Sequence, residues 1–447
     1  MESEKHFFKT VCALAIPVTL QSILQASFSV VDQIMIGQLG SVQVAGVGLA
    51  GKFSSVFTVL VSAIGAVAGI MIAQYLGQRQ QKAVARSFYA NLYAAGGAAA
   101  VFTVLCLFFP EKIMGIYTQD PGTRQAAASY LTILSATYLP VAGASLLSAL
   151  LRCLGKAALP LYASIAAALL NTGLNYILIF GKLGLSPMGA DGAAIATAIS
   201  QAVNFLLILA LYIKCSDKPV LGPPAQSRSI PFNRRQYAAM LLPILVCELM
   251  WSLGENVYAA IYGHLGTDAC AAMTLTNPIQ GLMIGALCGL SQAAGVVIGK
   301  LLGTGEYEEA YQAAKKLLLY GLAGSLALSV VLLIVKGLYV EIYRVEDSVK
   351  LLTCQILTVY ALIAPFKVQN MILGGGIIRS GGKTRYTMWI DLIGTWGFGV
   401  PLGLLASFVL KLSIPYVYFL LSLEECVRFG ISLVVLRKRK WMQQLET

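Results

Sequence analysis

The sequence predicts an all-α integral membrane protein of about twelve transmembrane helices, set as two six-helix bundles related by pseudo-twofold symmetry. Three observations predict it. Of the 447 residues, 57% are hydrophobic and only 12% are charged, with a mean hydropathy of +0.75, whereas a soluble domain is about 25% charged. Apolar runs of about 20 residues, long enough to cross a bilayer, recur along the whole length. The chain also reads twice. Pro17 and Leu39–Gly40 return as Pro243 and Leu265–Gly266, and Leu76–Gly77 returns as Leu302–Gly303, each shifted by 226 (243 − 17). Arg152, Gly155 and Lys156 return as Arg379, Gly382 and Lys383, shifted by 227 (379 − 152).

The apolar runs place spans over 10–36, 43–76, 84–110, 126–151, 159–181 and 190–213, then over 237–263, 270–299, 314–336, 351–378, 386–410 and 413–436. The first is a full member of the repeat, so the start MESEKHFFKT is not read as a cleaved signal peptide. The second closes on Leu76–Gly77. The third holds AAGGAAA (94–100), small residues that let lipid-buried helices approach closely. The fourth ends at the basic turn around Arg152 and Lys156, the fifth carries Asn171 and Asn175, and the sixth carries Thr197. A polar stretch over 214–236, rich in Pro, Ser and basic residues, reads as a linker. It divides the chain into lobes 1–213 and 237–447. An even number of spans in each half gives both the same orientation, a parallel repeat of the kind secondary transporters use. The seventh span carries Glu248 and Glu255. In the tenth, Pro365 and Gly374–Gly376 are expected to weaken the helix and free backbone carbonyls. Asp391 falls in the eleventh, and Glu424 and Glu425 in the twelfth.

The net charge of +12 is unevenly distributed. Arg79, Lys82 and Arg86, then Arg152 and Lys156, the linker, Lys315 and Lys316, then Arg379, Lys383 and Arg385, and the tail RKRK at 437–440 occupy alternate connections. That asymmetry places both termini in the cytoplasm. The positive charge is therefore membrane topology with anionic-lipid contact, not a nucleic-acid footprint. The 9 cysteines are scattered without CxxC or a Cys/His cluster, which excludes a zinc site or disulfide framework. No Walker motif, phosphate loop or nucleophile elbow is present, and Gly382–Lys383–Thr384 lacks the upstream glycine of a P-loop. An enzyme is not expected, and no cofactor.

An ionisable group at mid-bilayer costs at least ~2.5 kcal/mol, so such groups are few and functional. Eight within the spans stand out: Asp32, Lys52, Glu248, Glu255, Lys367, Asp391, Glu424 and Glu425. Six acids against two bases make an interior that attracts cations. Asn171 and Asn175, four apart, share one helix face. With Asp32 and Thr197 they offer one carboxylate, two amide carbonyls and a hydroxyl, an oxygen set able to hold Na+. The carboxylate can instead carry a proton, or the asparagines can simply bridge helices. Glu424 falls 227 after Thr197 (424 − 197). It and Glu425 read either as a structural pair with Lys367 or Arg428 or as transport groups. Lys52, Glu255, Lys367, Gln369, Asn370 and Glu424 are the candidates for a substrate cavity, and Asp391 for a gate or structural role.

Several stretches, in this order, together resemble the multidrug and toxic compound extrusion (MATE) family over nearly the full length. They are the Pro17 helix ending in VDQIMIGQLG, IAQYLGQRQQKAVARS (72–87), LRCLGKAALP (151–160), NTGLNYILIFG (171–181), GAAIATAISQ (192–201), LLGTGEYEEA (301–310) and IIRSGGKT (377–384). The resemblance implies two six-helix lobes and a cation-driven antiporter that expels organic compounds by rocking of those lobes. It implies that Asp32 matches the family's essential first-helix aspartate, with Asn171, Asn175 and Thr197 as partners. Pro17 matches the proline at which that helix bends. Asn175 falls where many members have Asp, which leaves Asp32 as the one anion of that set. Trp251 stands near the place of a seventh-helix acid and Lys367 and Val368 near that of a tenth-helix acid, so a C-lobe cation site of the family's type is not expected. The expectation is a monomeric plasma-membrane antiporter coupled to Na+ or H+, exporting organic, cationic or amphiphilic compounds. The alternative is a flippase of lipid-linked precursors, with Lys52 and Lys367 on an anionic headgroup, or an exporter of one specific metabolite.

Overall fold

The computed structural model describes residues 2–215, 233–343 and 345–446, and every regular element among them is helical. Eleven helical segments are long and apolar enough to cross a bilayer. The twelfth expected span forms too, over Ile414–Lys438, but Glu424, Glu425 and Arg428 in its middle make it too charged to qualify by composition. Most of the expected linker lies outside the described residues. The chain forms two compact units. One comprises Leu20–Ile72 and Arg79–Phe232; the other comprises Met1–Thr19, Ala73–Gln78 and Asn233–Glu446. We call them the N-terminal and C-terminal units.

Helices α1 (Glu2–Gly37) and α2 (Ser41–Gly77) each run through one of these divisions. The rest of the N-terminal unit is α3 (Gln81–Phe108), α4 (Pro110–Tyr117), α5 (Pro121–Leu134), α6 (Tyr138–Cys153), α7 (Ala158–Phe180) and α8 (Gly189–Cys215). The expected fourth span is α5 and α6 joined by a 3-10 turn at Ser135–Thr137. Helix α4, which the apolar pattern does not predict, is a short helix started by Pro110. Gly181, at φ +65°, closes α7 in the left-handed conformation that glycine adopts without strain. Close packing of α8 on α7 follows from Gly192, where an added Cβ would lie 2.8 Å from the Leu178 backbone. Phe57 and Tyr138 are buried in an aromatic core with Phe102, and the Tyr138 hydroxyl reaches Ser54 at 3.0 Å.

The C-terminal unit contains α9 (Arg234–His264), α10 (Thr267–Thr304), α11 (Tyr307–Glu341), α12 (Asp347–Asn370), α13 (Arg385–Leu392), α14 (Val400–Leu404) and α15 (Ile414–Lys438). The break expected after Pro365 does not occur. The chain continues as a π-helix over Met371–Ile378, which keeps its carbonyls bonded within the helix. The glycines there serve packing: a Cβ on Gly376 would lie 2.5 Å from the Ser291 carbonyl, and Ser291 Oγ donates to the Met371 carbonyl at 2.7 Å. Further π turns cover Ile393–Gly399 and Leu405–Val409. Along α11, Leu319, Leu326, Val330, Ile334 and Leu338 are each at least 49% exposed. An apolar stripe of that length is stable against lipid and costly against water.

Two further features hold this unit together. The duplicated Leu-Gly pairs meet: a Cβ on Gly77 would lie 2.2 Å from the Lys300 carbonyl oxygen, and one on Gly303 would lie 2.1 Å from that of Gln74. The tail after α15 is also built in. Trp441 is fully buried. Gln74 Nε2 donates to the Ser380 and Gln443 carbonyls at 2.6 and 3.1 Å, and its Oε1 accepts from Leu445 N at 2.8 Å.

Candidate functional site

In the N-terminal unit the four expected side chains converge. Asp32, half-buried on α1, accepts from Asn175 Nδ2 of α7 at 2.7 Å. Asn171 stands one turn earlier on α7, and Thr197 faces it from α8 at 3.4 Å. Packing of α8 against α7 through Gly192 sets this spacing. The Asn171 amide has two ways to face the carboxylate. With its nitrogen toward Asp32, it donates to both oxygens at 3.1 Å, which suits an ionised carboxylate. With its oxygen there, it accepts from Asn175 Nδ2 at 3.2 Å, and the carboxyl must carry a proton or share a cation with it. Asn175 is 1% exposed, and its Oδ1 is buried without a partner. A buried acceptor of this kind fits a cation or a water. Among the described residues no three His, Cys, Asp or Glu side chains form a metal cluster. Any Na+ here would depend on amide and hydroxyl oxygens beside the single carboxylate.

One neighbour escaped the sequence reading: buried Tyr130 of α5 lies within electrostatic reach of Asp32. Next to it in the chain, Ser129 Oγ donates to both Asp191 oxygens of α8 at 2.9 Å. Asp191 sits in the first turn of α8, where an acid reads as a helix-start residue. Lys52 is exposed on α2.

The C-terminal unit holds a cavity of about 240 Å3. Glu255, Tyr258 and Tyr262 of α9, Lys367 of α12, and Glu424 and Glu425 of α15 line it. Gln369 is buried elsewhere and donates to the Leu318 carbonyl at 2.9 Å. Asn370 is not on the wall but holds it in place, donating to the Glu425 carbonyl and to its Oε2, each at 2.8 Å. The basic partner of the glutamates is Arg428, 3.6 Å from Glu425 and 4.0 Å from Glu424. It also binds Asp391 at 2.5 Å. Among the described residues Lys367 makes no ion pair. The spacing along α15 explains the difference, because positions three and four apart share a face.

Multi-pass helices and this fold define an all-α membrane protein. A family profile described as MatE matches residues 17–177 and again 243–405, the same shift that separates Pro17 from Pro243, and the chain belongs to the MatE family. The resemblance read from the motifs therefore holds. "Probable multidrug resistance protein NorM" of Agrobacterium fabrum is 28% identical over 72% of this chain and 69% of its own length. "Uncharacterized transporter YisQ" of Bacillus subtilis is 20% identical over 97% and 94%. A crystal structure of MATE in complex with MaL6 superposes with a TM-score of 0.88 at 18% identity, covering 96% of both chains.

Proposed function

We propose that the protein is a secondary active exporter that exchanges Na+ or H+, taken up at Asp32, for small organic compounds of cationic or amphiphilic character. The observation that carries this reading is the convergence of Asp32, Asn171, Asn175 and Thr197 from three helices on one carboxylate. Ionised Asp32 draws amide N–H groups toward itself. A proton or Na+ arriving there favours the amide oxygens instead, so ion occupancy changes how α7 and α8 hold α1. Pro17 lacks the N–H that would brace its turn of α1 and is the natural place for that change to be absorbed. The division between the compact units falls at Thr19/Leu20, just beyond it.

In this reading the lobes 1–213 and 237–447 rearrange between outward and inward access, with 214–236 as a cytoplasmic linker. The acids around the C-terminal cavity favour positively charged substrates, and its tyrosines supply apolar and cation–π contact. The Lys/Arg pattern supports a plasma-membrane protein with both termini cytoplasmic and in contact with anionic lipid. The internal duplication supports a monomer. The names of the relatives support drug-like cargo and transport rather than catalysis.

The test uses proteoliposomes with Na+ and proton gradients imposed separately and ethidium as cargo. One gradient should drive efflux by the wild type, and Asp32→Asn should abolish that dependence. Gradient-driven efflux unchanged by Asp32→Asn would remove Asp32 from coupling.

A further inference from the structure

A path of half-buried and buried polar groups crosses the C-terminal unit, and coupling at Asp32 makes no use of it. It starts at Arg379, just after the π-helix, whose guanidinium lies 3.5 Å from Glu248 and donates to the Cys247 sulfur at 3.4 Å. The Cys247 thiol donates to Asp391 Oδ2, and Asp391 Oδ1 accepts from Arg428. Arg428 faces Glu424 and Glu425, which line the cavity. Glu424 accepts in turn from the Tyr258 hydroxyl. Contacts thus run without a gap from the Arg379 turn to the cavity wall.

The charges along this path do not balance. Among the described residues, Glu248, Asp391, Glu424 and Glu425 make ion pairs only with Arg379 and Arg428, a deficit of two positive charges. Adding Glu255 and Lys367, which share the cavity, brings one charge of each sign and leaves the deficit unchanged. Glu424 and Glu425 are 7% and 5% exposed. These two adjacent buried carboxylates share one guanidinium, and it is already committed to Asp391. A second, independent sign is that the Nε of Arg428, a residue 8% exposed, and the Nε of Arg379 are buried donors without a hydrogen-bond partner among the described residues. Such donors mark places for water along the path.

We propose that the Glu424–Glu425 pair holds an exchangeable proton, separate from any ion at Asp32, and that the Asp391–Arg428 path serves it. Release moves one proton from a carboxyl oxygen to water and leaves one more negative charge on the cavity wall; uptake reverses both changes. A cation in the cavity and the proton on the pair therefore exclude each other. The groups that face the pair come from four helices. Glu255, Tyr258 and Tyr262 lie on α9, and Tyr360 and Lys367 on α12. Asp391 lies on α13, and Tyr418, Cys426 and Arg428 lie on α15 itself. Cys270 and the neutral Asn277 and Gln280 of α10 complete the cavity wall, and the segment over 393–409 has no titratable side chain.

Infrared difference spectra of the purified full-length protein, taken between acid and alkaline pH, read this proton without requiring transport. In an Asp32→Asn background a protonated-carboxyl band should remain. Adding Glu424→Gln and Glu425→Gln should remove it, and tetraphenylphosphonium should diminish it in the Asp32→Asn parent. Should the triple variant fail to fold, Asp391→Asn serves instead. It frees Arg428 for the glutamates, so the band should disappear at a pH lower by about one unit or more. A band that vanishes with Asp32→Asn alone, or one indifferent to Glu424, Glu425 and Asp391, overturns the proposal. Failure of ion-driven efflux bears only on Asp32.

Discussion

Asn175 is the best-placed partner of Asp32: it is almost wholly buried and donates to the carboxylate at 2.7 Å. Asn175→Ala removes a hydrogen bond to an ionisable group and should lower unfolding stability by about 1.5–3 kcal/mol. Thermal and denaturant unfolding of the purified protein in detergent measures it. If the two side chains act as a unit, the double variant with Asp32→Asn should lose less than the two single variants added together. Additive losses would mean that the contact contributes nothing of its own. This site was legible in the sequence because its information is local. An Asp late in an apolar run is costly enough to need a reason, and Asn171 and Asn175 share a face through their spacing alone. The network around Arg428 was only partly legible. Its acids announce themselves as charges in apolar spans, but Asp391 meets Arg428 from another helix, and no spacing along the chain encodes that 2.5 Å contact.

At the scale of elements, the crossing of α2 and α10 makes a sharp prediction. Gly77→Ala places a Cβ 2.2 Å from the Lys300 carbonyl, so two backbones must move apart. Overpacking of this kind costs about 1–3 kcal/mol, and the loss should appear as a lower thermal midpoint. Gly69→Ala on the same helix is the control. Beyond its own stretch of helix, no atom of the described residues lies within 4 Å of its added Cβ, so the gain in helix propensity should leave stability unchanged or higher. The duplication made Leu76–Gly77 and Leu302–Gly303 equivalent by eye. It carried no information that the copies touch, because equivalence in sequence is not proximity. The π-helix over 371–378 escaped notice for a related reason. Three consecutive glycines read as weakness until the facing Ser291 shows that they permit an approach. At the start of α5, Asp120 caps the helix by accepting from Thr123 N at 2.8 Å, and hydrogen bonds from Thr123 hold its carboxyl below the usual carboxylate range. A depressed value stabilises the fold above the unfolded carboxylate range, and that contribution is lost as pH falls through the folded value. Protection factors of the amides over 123–126, which divide out the intrinsic pH dependence of exchange, should therefore fall on acidification, and Asp120→Ala should abolish that fall while lowering protection at neutral pH.

For the molecule as a whole, the last residues tie distant parts of the chain together. Tyr75 and Gln78, at the end of α2, donate to the carbonyls of Glu446 and Leu445. Gln444 donates to the Gly303 carbonyl at 2.7 Å, and the backbone at Gly381 leaves no room for a Cβ against the Trp441 carbonyl. The ends of α2 and α10 and the turn after the π-helix thus share one strap. The basic run at 437–440 reads in the sequence as a topology signal, and the seven residues beyond that charged cluster, 441–447, would ordinarily read as a frayed end. What reverses that expectation is Trp441, a large side chain with no exposed surface. Trp441→Ala should cost about 3–5 kcal/mol, well above the effect of breaking the exposed Arg439–Glu308 pair with Arg439→Ala, for which exposed ion pairs suggest about 0–1 kcal/mol. Limited proteolysis gives a second reading: Trp441→Ala should open cleavage both in the tail and near Gln78, because the same hydrogen bonds protect both. Cleavage confined to the tail, with the end of α2 still resistant, would show that the strap lies on the fold without holding it.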